Sequence, residues 1–557
     1  MINKWTGFLA FLVTALVIAG CGKSKESLQS KSIVVVAAEG DVDSFNPLFA
    51  QESIAGEIND LLYPALVGSD FDTVRGTLVY TPLLATSWEF QDNHRDLLFH
   101  LNTAAKWSDG VRVVARDVQF SYELYADPEV ASVRQANVEG LRRTEGKLDI
   151  TRCVVVVDDS TVIFHFARPS PAQLFDAGLP ILPSHVLAGV PHKDLRTHSL
   201  NKSPVGSGPF SLERWTPLQE IDLTSSEASM LPFPARLNRL VFRILPDYRS
   251  RVMQLKAGEV DVVTALRKED ADDILQQSPD LELVAIPGRD YDFIGWNNID
   301  PVAYAASQGT SIKAHPLFGS ARVRRALTLA VNREEITRAY LGRYGHEALG
   351  GVSPLFKWAQ NDTLKPLPYD PAMSRILLDG EGWNVGKGIG VREKRGRPFS
   401  FTMMIPSGNQ LRTVVASVIQ QQLRAVGIEV KISQVEPATF WEDLIERKYD
   451  AWLAGFSVPL QMQLDELWGS DLKRYPFNLT GFRNARVDQI LTTARTLTEE
   501  KDGAPLWKEF QSIIHNEQPC TFLYWIDNVV GVNKRVHGMH IGVSGTTHKA
   551  WEWNIAR

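Results

Sequence analysis

Between residues 411 and 456 the chain spells out helix, strand, helix, strand, and few folds accommodate that order. Leu411, Val414, Val415, Val418, Ile419 and Leu423 recur at three- and four-residue spacing and form one apolar helical stripe. Gly427 stands where such a helix needs its stop. Ile428-Glu429-Val430-Lys431-Ile432 then alternates as a half-buried strand. Phe440, Leu444 and Ile445 mark another helix, and Ala451-Trp452-Leu453-Ala454-Gly455-Phe456 is an apolar strand. Strands separated by helices join through crossover units, which predicts a largely parallel sheet here. Asn332-Arg333-Glu334-Glu335 carries the cap and third-position carboxylate of a capping box, so a further helix starts there.

The first half reads differently. Ser32-Ile33-Val34-Val35-Val36 is a buried strand, and Ile54, Ile58, Leu61, Leu62 and Ala65 form a helical stripe. Trp88-Glu89-Phe90 and residues 97–101 flank a polar turn as a hairpin. A second hairpin runs from residues 154–157, through Asp158-Asp159-Ser160, to Val162, Phe164 and Phe166. Hairpins so concentrated indicate a β-rich insertion between about residues 77 and 203. Residues 386–398, rich in glycine and arginine, are the clearest internal loop, and the run Arg392-Glu393-Lys394-Arg395-Gly396-Arg397 within it is read as solvated.

At 557 residues the chain has room for roughly three or four structural units. A net charge of −6 with no concentrated basic face argues against nucleic-acid binding. Lys4 precedes an apolar run over residues 8–19 that closes on Ile18-Ala19-Gly20-Cys21. A short apolar run of this kind reads as an export signal, not a membrane span. The small-small-cysteine ending resembles a lipobox, which makes Cys21 the lipidated residue. Two or more acyl chains on it would hold the protein at a membrane. Cys153 and Cys520 remain, and no disulfide between them is favoured.

A search for chemistry finds little. Ser199-Leu200-Asn201-Lys202 matches the S-x-x-K pattern of serine enzymes but lacks their partner motifs, and Pro204 disfavours the helix such a nucleophile needs. Gly206-Ser207-Gly208 is no nucleophile elbow, and Gly386-Lys387-Gly388-Ile389-Gly390 is no dinucleotide fingerprint. His185, His192 and His198, like His537, His540 and His548, lie in segments whose spacing fixes no metal geometry. The expectation is no catalytic residue, no cofactor and no metal.

The order of short motifs is more specific than any one of them. Asp43-Ser44-Phe45-Asn46-Pro47-Leu48 is followed by Pro82-Leu83-Leu84-Ala85, Trp107-Ser108-Asp109-Gly110, Ala115-Arg116-Asp117-Val118 and Pro204-Val205-Gly206-Ser207-Gly208-Pro209-Phe210. Gly295-Trp296-Asn297-Asn298, Val323-Arg324-Arg325-Ala326-Leu327, Tyr369-Asp370-Pro371 and Phe522-Leu523-Tyr524-Trp525 continue the series. Over essentially the whole chain from residue 33, this resembles the peptide- and nickel-type extracellular solute-binding proteins of ABC transporters.

The resemblance implies an α/β, two-lobed periplasmic-binding-protein fold of type II, with an extra β-rich domain inserted in the first lobe. The expected divisions are a signal peptide over 1–20, the lipidated Cys21 and tether over 21–32, and a discontinuous first lobe of 33–76, 204–289 and 531–557. The inserted domain covers 77–203 and the second lobe 290–530. It further implies a monomer held in the periplasm or cell envelope by its lipid anchor. Such a protein captures a peptide or peptide-like solute by hinge closure and delivers it to an ABC permease and ATPase complex. Alternatives are an exported serine hydrolase, a binder of a non-peptide solute or metal chelate on the same fold, and a ligand-sensing receptor. Candidate ligand-binding residues are Phe45, Asn46, Trp296, Asn297, Phe440, Trp441, Phe456, Ser457, Asp465 and Trp468. In family members that bind free peptides, an aspartate after the strand of the second lobe pairs with the α-ammonium. Here that position falls at Val458 or Pro459, neither of which can pair with a cation, and Asp465 and Glu466, within one loop or helix turn, could substitute.

Overall fold

The computed structural model describes residues 32–226, 234–386 and 390–555. The export segment, Cys21 and the tether up to residue 31 lie outside the described residues.

An 11-stranded mixed sheet organises the molecule. In chain order its strands are β1 (Ile33–Ala38), β2 (Phe210–Thr216), β3 (Glu220–Ser225), β4 (Arg239–Ile244), β5 (Val262–Val263), β6 (Leu281–Trp296), β7 (Gly345–Glu347), β8 (Ser400–Pro406), β9 (Glu429–Val435), β10 (Ala451–Ser457) and β11 (Cys520–Asn533). They are arranged β2-β3-β4-β1-β5-β11-β6-β10-β8-β9, with β7 beside β11. All six side chains of β1 are buried, as its unbroken apolar run requires of a strand covered on both faces.

The crossover prediction holds only locally. β8 runs parallel to both β9 and β10, joined through helices Gln410–Ala425 and Pro437–Ile445. Asn409 caps the first of these, and Gly427, at φ +85°, takes the left-handed position just past its end. β6, however, is antiparallel to both β10 and β11, so the sheet is mixed and not largely parallel. The reason is connectivity: β6 carries the chain out of one half of the sheet and β11 carries it back.

Those two strands are long, 16 and 14 residues against a usual five or so. At one end of their ladder β11 pairs with β5, and at the other β6 pairs with β10. Between them the register breaks: Ile286 faces Asn528 and Asp290 faces Ile526, so Pro287, Gly288 and Arg289 oppose Asp527 alone. A bulge bends and twists the strand that carries it, and a proline that donates nothing to the ladder is at home there. This two-strand crossing divides the sheet into its two halves.

A separate four-stranded antiparallel sheet contains the two predicted hairpins, Ala85–Gln91 with Asp96–Leu101 and Val154–Asp158 with Thr161–His165. The division expected between residues 76 and 77 falls in the turn of another hairpin, Val67–Asp72 with Thr77–Pro82. Six cross-strand pairs bind those two strands into one body, so they cannot belong to different units.

The arginine-rich segment also departs from expectation. Arg392 is 2% exposed. It lies on a short strand, donates from Nε to the Val426 carbonyl at 2.7 Å, and pairs with Asp379. Glu393, Arg395, Gly396 and Arg397 are exposed as read, around a turn at Arg395-Gly396 with φ 54° and 78°. Composition marked the whole run as loop because buried arginines that satisfy backbone carbonyls look like exposed ones in sequence. Cys153 and Cys520 are both buried free thiols.

Candidate functional site

Strand alternation places an aromatic group at the second-lobe end of β6. Tyr291 and Phe293, two apart, share a face, and β10 and β11 bring Phe456, Phe522 and Trp525 against them. Tyr291 lies 4.8 Å from Trp525 between ring centroids, Phe293 stacks on Phe456 at 5.5 Å, and Trp441 lies 5.9 Å from Phe456. Trp468 joins through Phe522 at 6.1 Å. The void left among Tyr291, Phe293, Phe456 and Trp468 is ≈ 10 Å³, at the lower limit for a single water. These rings therefore form a packed wall.

The open space lies elsewhere, and none of these rings lines it. A partly open cavity of ≈ 480 Å³ lies between residues 136–176, which lend Asn137, Arg168 and Asp176, and residues 461–507, which lend Gln461, Arg474 and Glu500. Its size is that of a small-ligand site, roughly 300–1,000 Å³. Burial raises the carboxyl of Asp176 to about 7, with an Asn137 hydrogen bond opposing. Burial also raises Glu500 to about 7, against a hydrogen bond from the Met462 amide. Asp465 is 9% exposed and is already paired with Arg495 at 3.1 Å.

These raised carboxyls have a consequence for stability. In the unfolded chain both titrate near 4, so at low pH they are protonated in either state and cost nothing. Above about 7 the folded state must hold both ionised, so stability declines as pH rises between about 4 and 7. The melting temperature of the ligand-free protein should fall from pH 5 to pH 8 by at least ~2 °C more than that of an Asp176→Asn/Glu500→Gln variant. Parallel curves for the two proteins would show that these carboxyls are not desolvated.

The structure sorts the candidate residues into two groups. Trp441, Phe456 and Trp468 belong to the aromatic wall, and Ser457 is exposed at the end of β10. The other group is spoken for by the core. Phe45 is fully buried edge-on to Trp215 at 5.4 Å, and Asn46 donates to Asn201 Oδ1 at 2.9 Å while its own oxygen takes the Leu48 amide. Trp296 donates to Thr521 Oγ1 at 3.1 Å, Asn297 to the Tyr449 carbonyl at 3.1 Å, and Phe440 has no exposed surface. All five have no exposed surface. Asp465 stands behind Arg495, which itself lines the cavity.

Val458 is buried. Its amide donates to the Arg289 carbonyl at 3.0 Å, and Arg289 Nη1 donates back to the Val458 carbonyl at 3.2 Å. A guanidinium from the bulge thus stands at the position where an aspartate was sought. Asp176, Glu500, Gln461 and Arg168 escaped the sequence reading because they come from segments hundreds of residues apart, with no local spacing to connect them.

Ser199 and Lys202 are exposed on a single turn of 3-10 helix, and neither side chain touches the other. Among the described residues, no group of three or more His, Cys, Asp or Glu side chains is placed to hold a metal ion. No helix of the described residues is long and apolar enough to cross a membrane.

Comparison with known proteins fixes the family. Residues 79–464 match the profile of the bacterial extracellular solute-binding proteins, family 5 middle domain. The oligopeptide-binding protein AppA of Bacillus subtilis is 27% identical over 98% of this chain and 97% of its own length. Di/tripeptide-binding protein 1 of Pseudomonas aeruginosa is 26% identical over 92% of this chain and 94% of its own. The structure of AppA with a nonapeptide superposes with a TM-score of 0.75 at 25% identity, covering 94% of this chain and 99% of that one. The fold is thus the two-lobed type II binding-protein fold, and the serine-hydrolase alternative falls, since such proteins bind solutes without transforming them. The mixed sheet with its bulged two-strand crossing is thus the frame of such a binding protein, and the chain belongs to the bacterial extracellular solute-binding proteins of family 5.

Proposed function

We propose that the protein captures a peptide in the cavity between its lobes and presents it to the permease of an ATP-driven importer. The observation that carries this reading is the partly open cavity of ≈ 480 Å³, bounded by residues 136–176 on one side and residues 461–507 on the other. The relatives named for oligopeptides and di/tripeptides supply the ligand class. One lobe comprises residues 33–289 with 531–557, the other 290–530, and they turn on the bulge at residues 287–289. A solute that touches both lobes favours the closed state by the contacts it makes only there.

Native mass spectrometry of the gently purified protein tests the reading. The expected result is a set of added masses that fragment into amino-acid series, with compaction in small-angle scattering when such a peptide is returned to the stripped protein. One sharp non-peptide mass would overturn it.

Cys21 is proposed as the lipidated anchor of a monomeric protein in the cell envelope. Cys21→Ser should move the protein from the membrane fraction to the soluble fraction; unchanged partitioning would remove the anchor from the account.

A further inference from the structure

The hairpin Val67–Asp72 with Thr77–Pro82 is anchored in one lobe and seated in the other. On the first-lobe side, the Leu66 carbonyl at its start accepts the Ala85 amide at 2.8 Å, and Asp70 pairs with Lys549 of the carboxyl-terminal segment at 2.8 Å. On the second-lobe side, the indole N–H of Trp358 donates to the Gly76 carbonyl at 2.8 Å, and Phe71 meets Phe356 edge-on at 5.8 Å between ring centroids. Gly76 is buried, although Thr73, Val74 and Arg75 beside it are exposed. It takes φ +72°, and a methyl on it would stand 2.5 Å from the Leu355 carbonyl oxygen and 2.8 Å from the Lys357 amide nitrogen. Glycine is needed there twice, for the left-handed turn and for the close approach of two backbones.

The surface that receives the tip is itself fixed to the second lobe. Gln511 donates to the Ala359 carbonyl at 2.7 Å and Asn361 to that of Lys508 at 2.9 Å, which ties residues 355–361 to the helix Ala504–Glu517. Farther along the hairpin, Tyr80 is hydrogen-bonded to the side chain of Gln461, a residue of the cavity wall. None of these contacts involves β6 or β11, so the hairpin joins the lobes a second time, apart from the bulge on which they turn. A contact this close between two backbones does not survive rotation of one lobe against the other. We infer, resting on the two-lobe capture reading, that residues 67–82 are an interlobe strap: the seat of Gly76 against Trp358 latches the closed lobes and has to break before they part and release their solute. Ligand contacts and latch then favour the same closed state, and the latch sets how long a captured solute stays.

The test compares Trp358→Phe, which keeps a ring and removes the N–H, and Gly76→Ala, which unseats the tip, with the unaltered chain. Gly146→Ala is the control: it sits in another hairpin turn at φ +78°, with nothing within 4 Å of the added methyl. Small-angle scattering reads the compactness of the ligand-stripped proteins. Native mass spectrometry after dilution reads how fast each protein loses members of a mixed tri- to pentapeptide pool. Both latch variants should expand the stripped protein and speed release by roughly three- to tenfold, the effect of losing about one hydrogen bond, while Gly146→Ala changes neither. Faster release without expansion would place the latch in the liganded state alone and still support the strap. Unchanged release from both latch variants would overturn it and leave peptide capture standing. Expansion of the variants when no protein retains any of the pool would sink peptide capture and leave the strap. No expansion and no retention would sink both.

Discussion

Gly288→Ala is expected to lower stability by ~3 kcal/mol, the upper part of the usual range for an overpacked site, and to weaken ligand-induced closure. A methyl at this position would lie 1.4 Å from the carbonyl oxygen of Ile526 and 2.5 Å from its carbon. Both contacts are backbone, so no rotamer change relieves them. The amide of Gly288 also donates to Asp527 Oδ1 at 3.2 Å, which ties the bulge of β6 to the residue it opposes on β11. To admit the methyl the two strands must part at the one place where the chain crosses between lobes. The lobes then lose the fixed axis about which they turn. Thermal unfolding and small-angle scattering, with and without a peptide the protein retains, read the two effects. Gly350→Ala is the control, because nothing lies within 4 Å of a methyl built there. A Gly288→Ala protein with unchanged melting and unchanged compaction would show that the bulge yields freely and is not the hinge.

The sequence made some of this visible and hid the rest for physical reasons. Local signals read well: the cap of Asn332, whose side chain accepts the Glu335 amide at 3.1 Å, the stop at Gly427 and both hairpins depend only on near neighbours. Strand direction did not, because β6 and β11 owe theirs to partners more than 200 residues away. Aromatic and amide residues in family-like motifs drew attention as ligand contacts. Phe45, Trp296 and Asn297 proved to be interior, since a residue that holds a scaffold together recurs in a motif as readily as one that touches a solute. The charged lining of the cavity carried no local mark at all. Asp176 ends a short helix, Gln173–Asp176, and Glu500 opens a 3-10 turn, and only folding brings them to one space.

Asp292→Ala should destabilise the second lobe by ~3–5 kcal/mol, the range for removing one partner of a buried ion pair. Asp292 is 2% exposed, and Arg412 reaches it with two nitrogens, Nε at 3.0 Å and Nη2 at 2.7 Å. The Tyr524 hydroxyl donates to the same carboxylate at 3.2 Å. Space for this group is made by Gly455, directly across the ladder: a methyl there would stand 2.2 Å from Asp292 Oδ1 and 2.5 Å from Arg412 Nη2. The glycine of the Gly455-Phe456 motif is thus required by a charge on the neighbouring strand. Removing the carboxylate takes the partner from the Arg412 guanidinium and the buried Tyr524 phenol, and leaves the exposed Asp290 as the acidic neighbour of Arg412. Arg486 and Glu509 form a contact of the same form, two nitrogens on one carboxylate at 2.7 Å, but on the surface, where water and salt screen it. Glu509→Ala should therefore change the urea midpoint little, although its distances match those of the buried pair. If the two substitutions shifted that midpoint equally, burial would not be what gives the Asp292 pair its strength. In a cycle with Arg412→Ala, the double variant should recover part of the loss, because the orphaned charge is then gone as well.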